Sequence, residues 1–243
     1  CGIPYYVSGE INSLDALRST TYGTVRTPEY FEHKGVHTLN QTRVTAIDRA
    51  AKTVTAKNLV TGEEKALPYD RLIIATGSTP NVGGANNLED ADALRKACAS
   101  GSVQNAVVIG AGFIGMEIAV ALADMWDIKT SVVEFMPQAM PGVMSASLSD
   151  MVRHDLEEHN VDVYTGEKVQ RLEGENGVVA RVVTDKRTLD ADLVIFATGF
   201  APNTALARAA GLDLEERTGA ILVNEYMQTS DPDIYAGGDC VAI

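Results

Sequence analysis

Apolar positions recur along the chain with two periods, and the switch between them lays out the elements. A helical stretch follows Gly115 and ends at Met125-Trp126, and apolar residues at helical spacing mark another from Ser147 to His159 as Leu148, Met151, Val152 and Leu156. Leu88 to Ala99 reads as a shorter helix closed by Gly101-Ser102, and Ala205 to Ala210 as one stopped by Gly211. Thr27-Pro28-Glu29 is a helix start, with Pro in the first turn, and Gly35 is its stop. Between Val36 and Leu67 the pattern becomes short β-rich runs, VHTL, RVTAI, TVTAKNLV and KAL, with turn signals at Asp48–Ala51 and Thr61-Gly62. A second such meander, VQRLEG, VVARVVTD and RTLD, turns at Gly174–Gly177. The first meander leads into Tyr69 to Asn81, expected to be a buried strand ending in a turn, and the second into the similar run Ala191 to Asn203. Pro137 to Met144 reads as a loop, Val161 to Tyr164 and Ile221 to Asn224 as strands, and Cys1 to Gly9, with its Gly and Pro, as a turn.

The centre of the chain carries the strongest signal. The apolar run Ala106–Ile109 ends in Gly110-Ala111-Gly112-Phe113-Ile114-Gly115, a helix follows, and a second apolar run, Ser131–Val133, ends in Glu134. Strand, glycine turn, helix, strand and an acid about 20 residues on form a dinucleotide-binding unit. Gly110 permits the tight turn, Gly112 lets the backbone approach a pyrophosphate, and Gly115 lets the helix pack closely on the strand. The free N–H groups at the helix start face the phosphates. Glu134 can accept both hydroxyls of an adenosine ribose and repels a 2′-phosphate. No Arg follows in Phe135-Met136-Pro137, so NADH is expected over NADPH.

The chain also repeats itself. Asp70, Ala75, Thr76, Gly77, Pro80 and Asn81 recur as Asp192, Ala197, Thr198, Gly199, Pro202 and Asn203, each 122 residues on. Both copies follow a meander, which implies two related supersecondary units. The second copy opens with the Gly110 fingerprint, and the same shift puts the first copy's fingerprint before residue 1. The chain is therefore expected to be an internal fragment of a protein that binds two dinucleotides.

Composition narrows the classes. With 33 acidic against 20 basic side chains the net charge is −13, which argues against nucleic-acid binding and against docking on anionic membranes. No apolar run has membrane-spanning length. Cys1, Cys98 and Cys240 are too few and too scattered for a disulfide framework or a zinc site, and a reducing cytoplasm is the expected location. His33, His37, His154 and His159 lack ligand spacing, so no metal is expected.

With these residues in hand, the chain resembles the pyridine nucleotide–disulfide oxidoreductase family of FAD- and NAD(P)H-dependent flavoproteins over essentially its whole length. Ala75–Gly77 and Ala197–Asn203 look like that family's paired turns. Asp233–Cys240 looks like its flavin-binding segment, in which Asp239 would hydrogen-bond the flavin ribityl chain. The resemblance implies an α/β fold of two related Rossmann-like, three-layer dinucleotide-binding units, each with a meander, the NAD unit inserted into an incomplete FAD unit. The expected partition is 1–81 for part of the FAD domain, 82–224 for the NAD(H) domain and 225–243 for the return into the FAD domain. FAD contacts are expected from Val44, Ala75, Thr76, Gly77 and Asp239. NADH contacts are expected from Gly110, Gly112, Ile114, Gly115, Glu117, Glu134 and Gly199, with Phe113, Ile114 and Glu117 on the nicotinamide side. The full-length protein is expected to be a homodimer.

Cys1-Gly2-Ile3-Pro4-Tyr5-Tyr6 departs from dithiol members such as glutathione reductase, since no second cysteine occurs before Cys98. It looks like the single-cysteine branch of coenzyme A-disulfide reductases and NADH-dependent persulfide or polysulfide reductases. The expected catalytic residue is Cys1, whose thiolate attacks the sulfur of a small thiol-derived substrate, with flavin linking hydride to sulfur chemistry. Cys98 is expected to be a buried apolar group, and Cys240 to pack beside the flavin segment without chemistry. Two alternatives stay open: an NADH oxidase or peroxidase in which Cys1 cycles through sulfenic acid, and a non-catalytic NADH-binding redox module.

Overall fold

The computed structural model describes residues 3–82 and 88–242. The chain divides into two compact units, one of residues 1–26 and 80–199, the other of residues 27–79 and 200–243.

The first unit is built on a four-stranded parallel sheet. Its strands are ordered Leu193–Phe196, Asn105–Ile109, Lys129–Glu134 and Val161–Thr165. Val194 pairs with Val107, Val107 with Ser131, and Ser131 with Asp162. Strand residues of this apolar kind bury both faces of a sheet. Ala106, Val108 and Val132 pack with the helices Leu88–Ala99, Phe113–Trp126 and Ala146–Glu158 in one core. Val107, Ile109 and Val133 point the other way and pack with Val182 and Leu189 of the meander Val169–Glu175, Val178–Thr184 and Thr188–Asp190. Helices, sheet and meander are thus three layers, the Rossmann-like α/β arrangement expected. Asn176 and Gly177 both take positive φ, 54° and 81°, as a two-residue hairpin with right-handed strand twist demands.

The second unit holds the other meander, Thr42–Asp48, Thr53–Asn58 and Glu64–Pro68, with a bulge after Val44. Leu72–Ile74 pairs in parallel with Ile234–Ala236 in a two-stranded sheet. The core here is Ile74, Ala207, Leu212, Ile221, Ile234, Ala236 and Cys240. Thr27 caps the helix Pro28–Glu32 by accepting the Tyr30 N–H at 3.3 Å. The far edge of Leu72–Ile74 carries no strand among the described residues.

Four expectations are corrected. Within the stretch expected as a turn, Ile3–Ser8 is a helix, with Pro4 in its first turn, where proline is tolerated, and Gly9 ending it at φ 94°, while Cys1 and Gly2 lie outside the described residues. Ile3, Tyr6 and Val7 make a helical stripe, and Val7 is wholly buried in the core of the first unit. VHTL is not a strand. The helix before it ends in a Schellman-type closure, with Val36 N–H donating to Phe31 O and Gly35 N–H to Glu32 O, which takes Val36 out of any ladder. In the run after Asp70 only Ile74 is buried, and Ile73 is 72% exposed, with none of the described residues covering that face. Leu148 and Met151 face outward from their helix, and Leu156, with Val152 half-buried, carries its contact with the core.

Candidate functional site

Three glycines shape the turn at the head of the helix Phe113–Trp126, each for a different reason. Gly110 sits at φ 110°, and a Cβ there would lie 2.4 Å from Ala197 O. A Cβ on Gly115 would lie 2.1 Å from Gly110 O and 3.1 Å from the Ala197 methyl. Gly112 is neither strained nor crowded: a Cβ there would meet nothing within 4 Å. That open space lies at the N-cap of a 14-residue helix whose cap makes no side-chain hydrogen bond. The first-turn N–H groups and the open glycine are the cradle a pyrophosphate fits.

Glu134 ends the neighbouring strand with its carboxylate buried and fixed. Its Oε2 accepts the Ala111 N–H and its Oε1 the Met136 N–H, both at 2.8 Å. Each oxygen keeps lone-pair capacity for a ribose hydroxyl. The acid therefore ties the glycine turn to the strand as well as offering acceptors. Beneath it lies a network that sequence patterns did not reveal. The Glu167 N–H donates to Glu134 O at 3.0 Å. The buried Glu167 carboxylate accepts from Thr184 Oγ1 at 2.6 Å and from Arg187 Nε at 2.9 Å, and the Arg187 guanidinium stacks on Tyr164 at 3.9 Å. These partners are 17 to 20 residues apart and join through the meander, so no local motif marks them.

The repeat has a structural counterpart in its last residue. Asn81 N–H and Nδ2 donate to Gly199 O and Thr198 O at 3.1 and 3.2 Å. Asn203 N–H and Nδ2 donate to Gly77 O and Thr76 O at 2.9 and 3.0 Å. Each Asn thus holds the Ala-Thr-Gly turn of the opposite copy. Asp192 accepts the Gln104 and Asn105 N–H groups at 3.0 and 2.9 Å, pinning the start of the fingerprint strand. Those bonds hold its carboxyl below the ordinary aspartate value. Asp70, its repeat partner, has no side-chain partner among the described residues. Ala75 and Thr76 are exposed, Gly77 takes φ 63°, and Val44 is half-buried in its strand. Asp239 is exposed beside Ser78, whose Oγ lies 3.4 Å away, and follows Gly238 at φ 80°. The second unit therefore holds the acid and the Ala-Thr-Gly turn expected to meet FAD. Among the described residues it has no glycine turn at a helix head.

Cys1 lies outside the described residues. The helix that follows it packs on the fingerprint helix. Trp126 Nε1–H donates to Val7 O at 2.9 Å, and a groove of about 380 Å³ opens alongside. Pro4 and Tyr5 line it from one side, and Met116, Glu117, Val120 and Met125 from the other. Glu117, Phe113 and Ile114 are exposed at the start of that helix. Cys98 is buried, which pushes its thiol pKa up, and Cys240 is wholly buried. No cluster of His, Cys, Asp or Glu fit for a metal ion occurs among the described residues. None of their helices is long and apolar enough to cross a membrane.

Comparison with known proteins gives the same picture. The profile of the pyridine nucleotide-disulphide oxidoreductase family matches residues 7–243. The NADH oxidase of Enterococcus faecalis is 33% identical over 256 residues, covering 100% of this chain and 55% of that protein. The NAD-dependent persulfide reductase of A. fulgidus superposes with a TM-score of 0.90 at 41% identity, over 99% of this chain and 46% of that one. An FAD-dependent pyridine nucleotide-disulphide oxidoreductase from Desulfovibrio vulgaris is 57% identical, with a TM-score of 0.72 over 85% of this chain and 55% of that one. The chain thus spans about half the length of the relatives it matches.

Proposed function

The chain belongs to the pyridine nucleotide-disulphide oxidoreductase family, and from that premise we propose that its protein reduces a disulfide, persulfide or polysulfide with NADH, through FAD and Cys1. The observation that carries this reading is the seat of the helix after Cys1. It is pinned against the helix that opens with the dinucleotide fingerprint, and Tyr5 and Glu117 line one groove between them.

The roles follow from the residues. Gly112 and the first-turn N–H groups bind the pyrophosphate of NADH. Glu134, held by two backbone donors, orients the adenosine ribose and repels a 2′-phosphate. Val44, Ala75, Thr76, Gly77 and Asp239 would hold FAD. Bound FAD supplies the link between two-electron hydride donation by NADH and the Cys1 sulfur. The Cys1 thiolate attacks one sulfur of the substrate, forming a new S–S bond as the old one breaks. The leaving thiolate or hydrosulfide takes a proton. Two electrons from NADH then free the Cys1 thiolate and release the second product. In total NADH, one proton and a disulfide give NAD⁺ and two thiols; a persulfide gives a thiol and hydrogen sulfide.

The relatives named NADH oxidase match all of this chain and favour a second reading, in which Cys1 cycles through sulfenic acid. One experiment separates the two. NADH consumption by the full-length protein is measured with CoA disulfide, polysulfide, oxygen and peroxide, before and after Cys1→Ser. The expected result is turnover with a sulfur substrate, lost in the variant, and weak use of NADPH. Turnover with oxygen or peroxide alone sinks the sulfur reading. Sulfur reduction surviving Cys1→Ser removes the role of Cys1.

A further inference from the structure

The helix Ile3–Ser8 is only six residues long, too short to hold its own direction. Besides the buried Val7, four polar contacts from longer helices of the same unit hold it and the chain just after it. Tyr6 O–H donates to Asp92 Oδ1 at 2.8 Å. Arg95, one turn along from Asp92, lays its guanidinium over the Tyr6 ring at 4.7 Å and donates from Nη1 to Ile11 O at 2.8 Å, holding the chain where it leaves the helix. Trp126 Nε1–H donates to Val7 O at 2.9 Å. Tyr6 and Val7 are buried at these contacts. Asp92 and Arg95 lie on the helix Leu88–Ala99, and Trp126 ends the fingerprint helix.

We infer that Tyr6, Asp92, Arg95 and Trp126 form a clamp that sets the position of the helix following Cys1 in the sequence, and act as positioning residues for the sulfur step. The inference rests on the reading of Cys1 given above. The side chains are suited to the task. A phenol donating to a carboxylate has one direction and one length. The Asp92 carboxylate is also held by Lys96 Nζ at 2.6 Å, so the acceptor itself is fixed. The indole N–H takes a carbonyl in the last turn of the short helix, where helix carbonyls lack intrahelical donors. A misplacement of about 1 Å in a reacting group costs up to about a hundredfold in rate.

The test uses the full-length protein with Tyr6→Phe, Trp126→Phe, Asp92→Ala and Asp92→Asn, each measured for NADH-to-flavin reduction, sulfur-substrate turnover and the rate of Cys1 alkylation by iodoacetamide. Tyr6→Phe keeps the ring and Trp126→Phe keeps a smaller aromatic side chain, and both lose the donor. The expected result is sulfur turnover and alkylation changed by about tenfold, with flavin reduction by NADH within about twofold. The effect should fall on kcat more than on KM. Asp92→Asn keeps an acceptor for the phenol and should restore most of the rate relative to Asp92→Ala. Unchanged sulfur turnover and alkylation in both donor-loss variants overturns the clamp. So does an equal fall of both half-reactions, which marks simple loss of structure. Cys1→Ser is run in parallel. If it stays active the Cys1 reading fails; if it is dead while the clamp variants are normal, only the clamp fails.

Discussion

Three glycines within six residues carry three separate constraints, and substitution separates them. At Gly110 and Gly115 an added methyl meets backbone oxygen at 2.4 and 2.1 Å, and Gly110 also holds φ 110°. Backbone cannot rotate aside as a long side chain can. Gly110→Ala and Gly115→Ala should each lose about 2–3 kcal/mol of stability, read as a lower urea midpoint at unchanged m-value. Gly112→Ala meets open space and should stay within about 1 kcal/mol of the parent. The methyl would instead occupy the cradle, and NADH affinity by fluorescence titration should fall at least about tenfold, or ~1.4 kcal/mol. An unstable Gly112→Ala with normal NADH affinity contradicts this assignment.

Asp192 shows how one side chain starts an element. Its carboxylate receives the first N–H groups of the strand that leads into the glycine turn. The folded pKa lies below the ordinary aspartate value, so the contribution is complete above about pH 4 and is lost as pH falls through the lowered value. The group is exposed, which keeps the effect near about 1 kcal/mol. Asp192→Ala should therefore lower the urea midpoint at pH 7, and the difference from the parent should shrink on acidification. A difference that grows toward acid pH contradicts the role. Elements that announce themselves in the sequence do so by short-range chemistry. Examples are Thr27-Pro28 at a helix start, Asn176-Gly177 at a hairpin and the glycine spacing after Ile109. The helix Ile3–Ser8 was hidden because Pro4 and Gly9 read as turn residues. Its stripe of Ile3, Tyr6 and Val7 spans a single turn, too short for periodicity to outweigh them. VHTL has strand composition, but strand composition needs a partner ladder, and the Schellman closure claims Val36. On the Ser147–His159 stripe, Leu148 and Met151 fit the spacing and are still exposed, since spacing gives a face and not its depth. At the site, the glycines and Glu134 were legible because the turn is local. Tyr6, Asp92, Trp126, Glu167 and Arg187 were not, because their partners lie 17 to 119 residues away.

At the scale of the whole chain the 122-residue repeat is matched by contacts: Asn81 serves the turn at Thr198 and Gly199, and Asn203 the turn at Thr76 and Gly77. Among the described residues both strands are paired on one side only, Leu193–Phe196 with the fingerprint strand and Leu72–Ile74 with Ile234–Ala236, and the copies differ in cover: Val194, Ile195 and Phe196 are half-buried whereas Ile73 is 72% exposed. The consequence concerns solubility. A strand edge left open among the described residues is a template on which a second copy can add its own edge, and a net charge of −13 opposes that approach. That repulsion is screened over about 10 Å at 0.1 M salt and about 3 Å at 1 M. The isolated 243-residue chain should thus associate as its concentration rises, and more strongly in high salt, by sedimentation velocity. Ile73→Lys places a charge on the exposed face beside that edge and should keep the chain monomeric under the same conditions. Association that weakens with salt, or that Ile73→Lys leaves untouched, would place the sticky surface elsewhere.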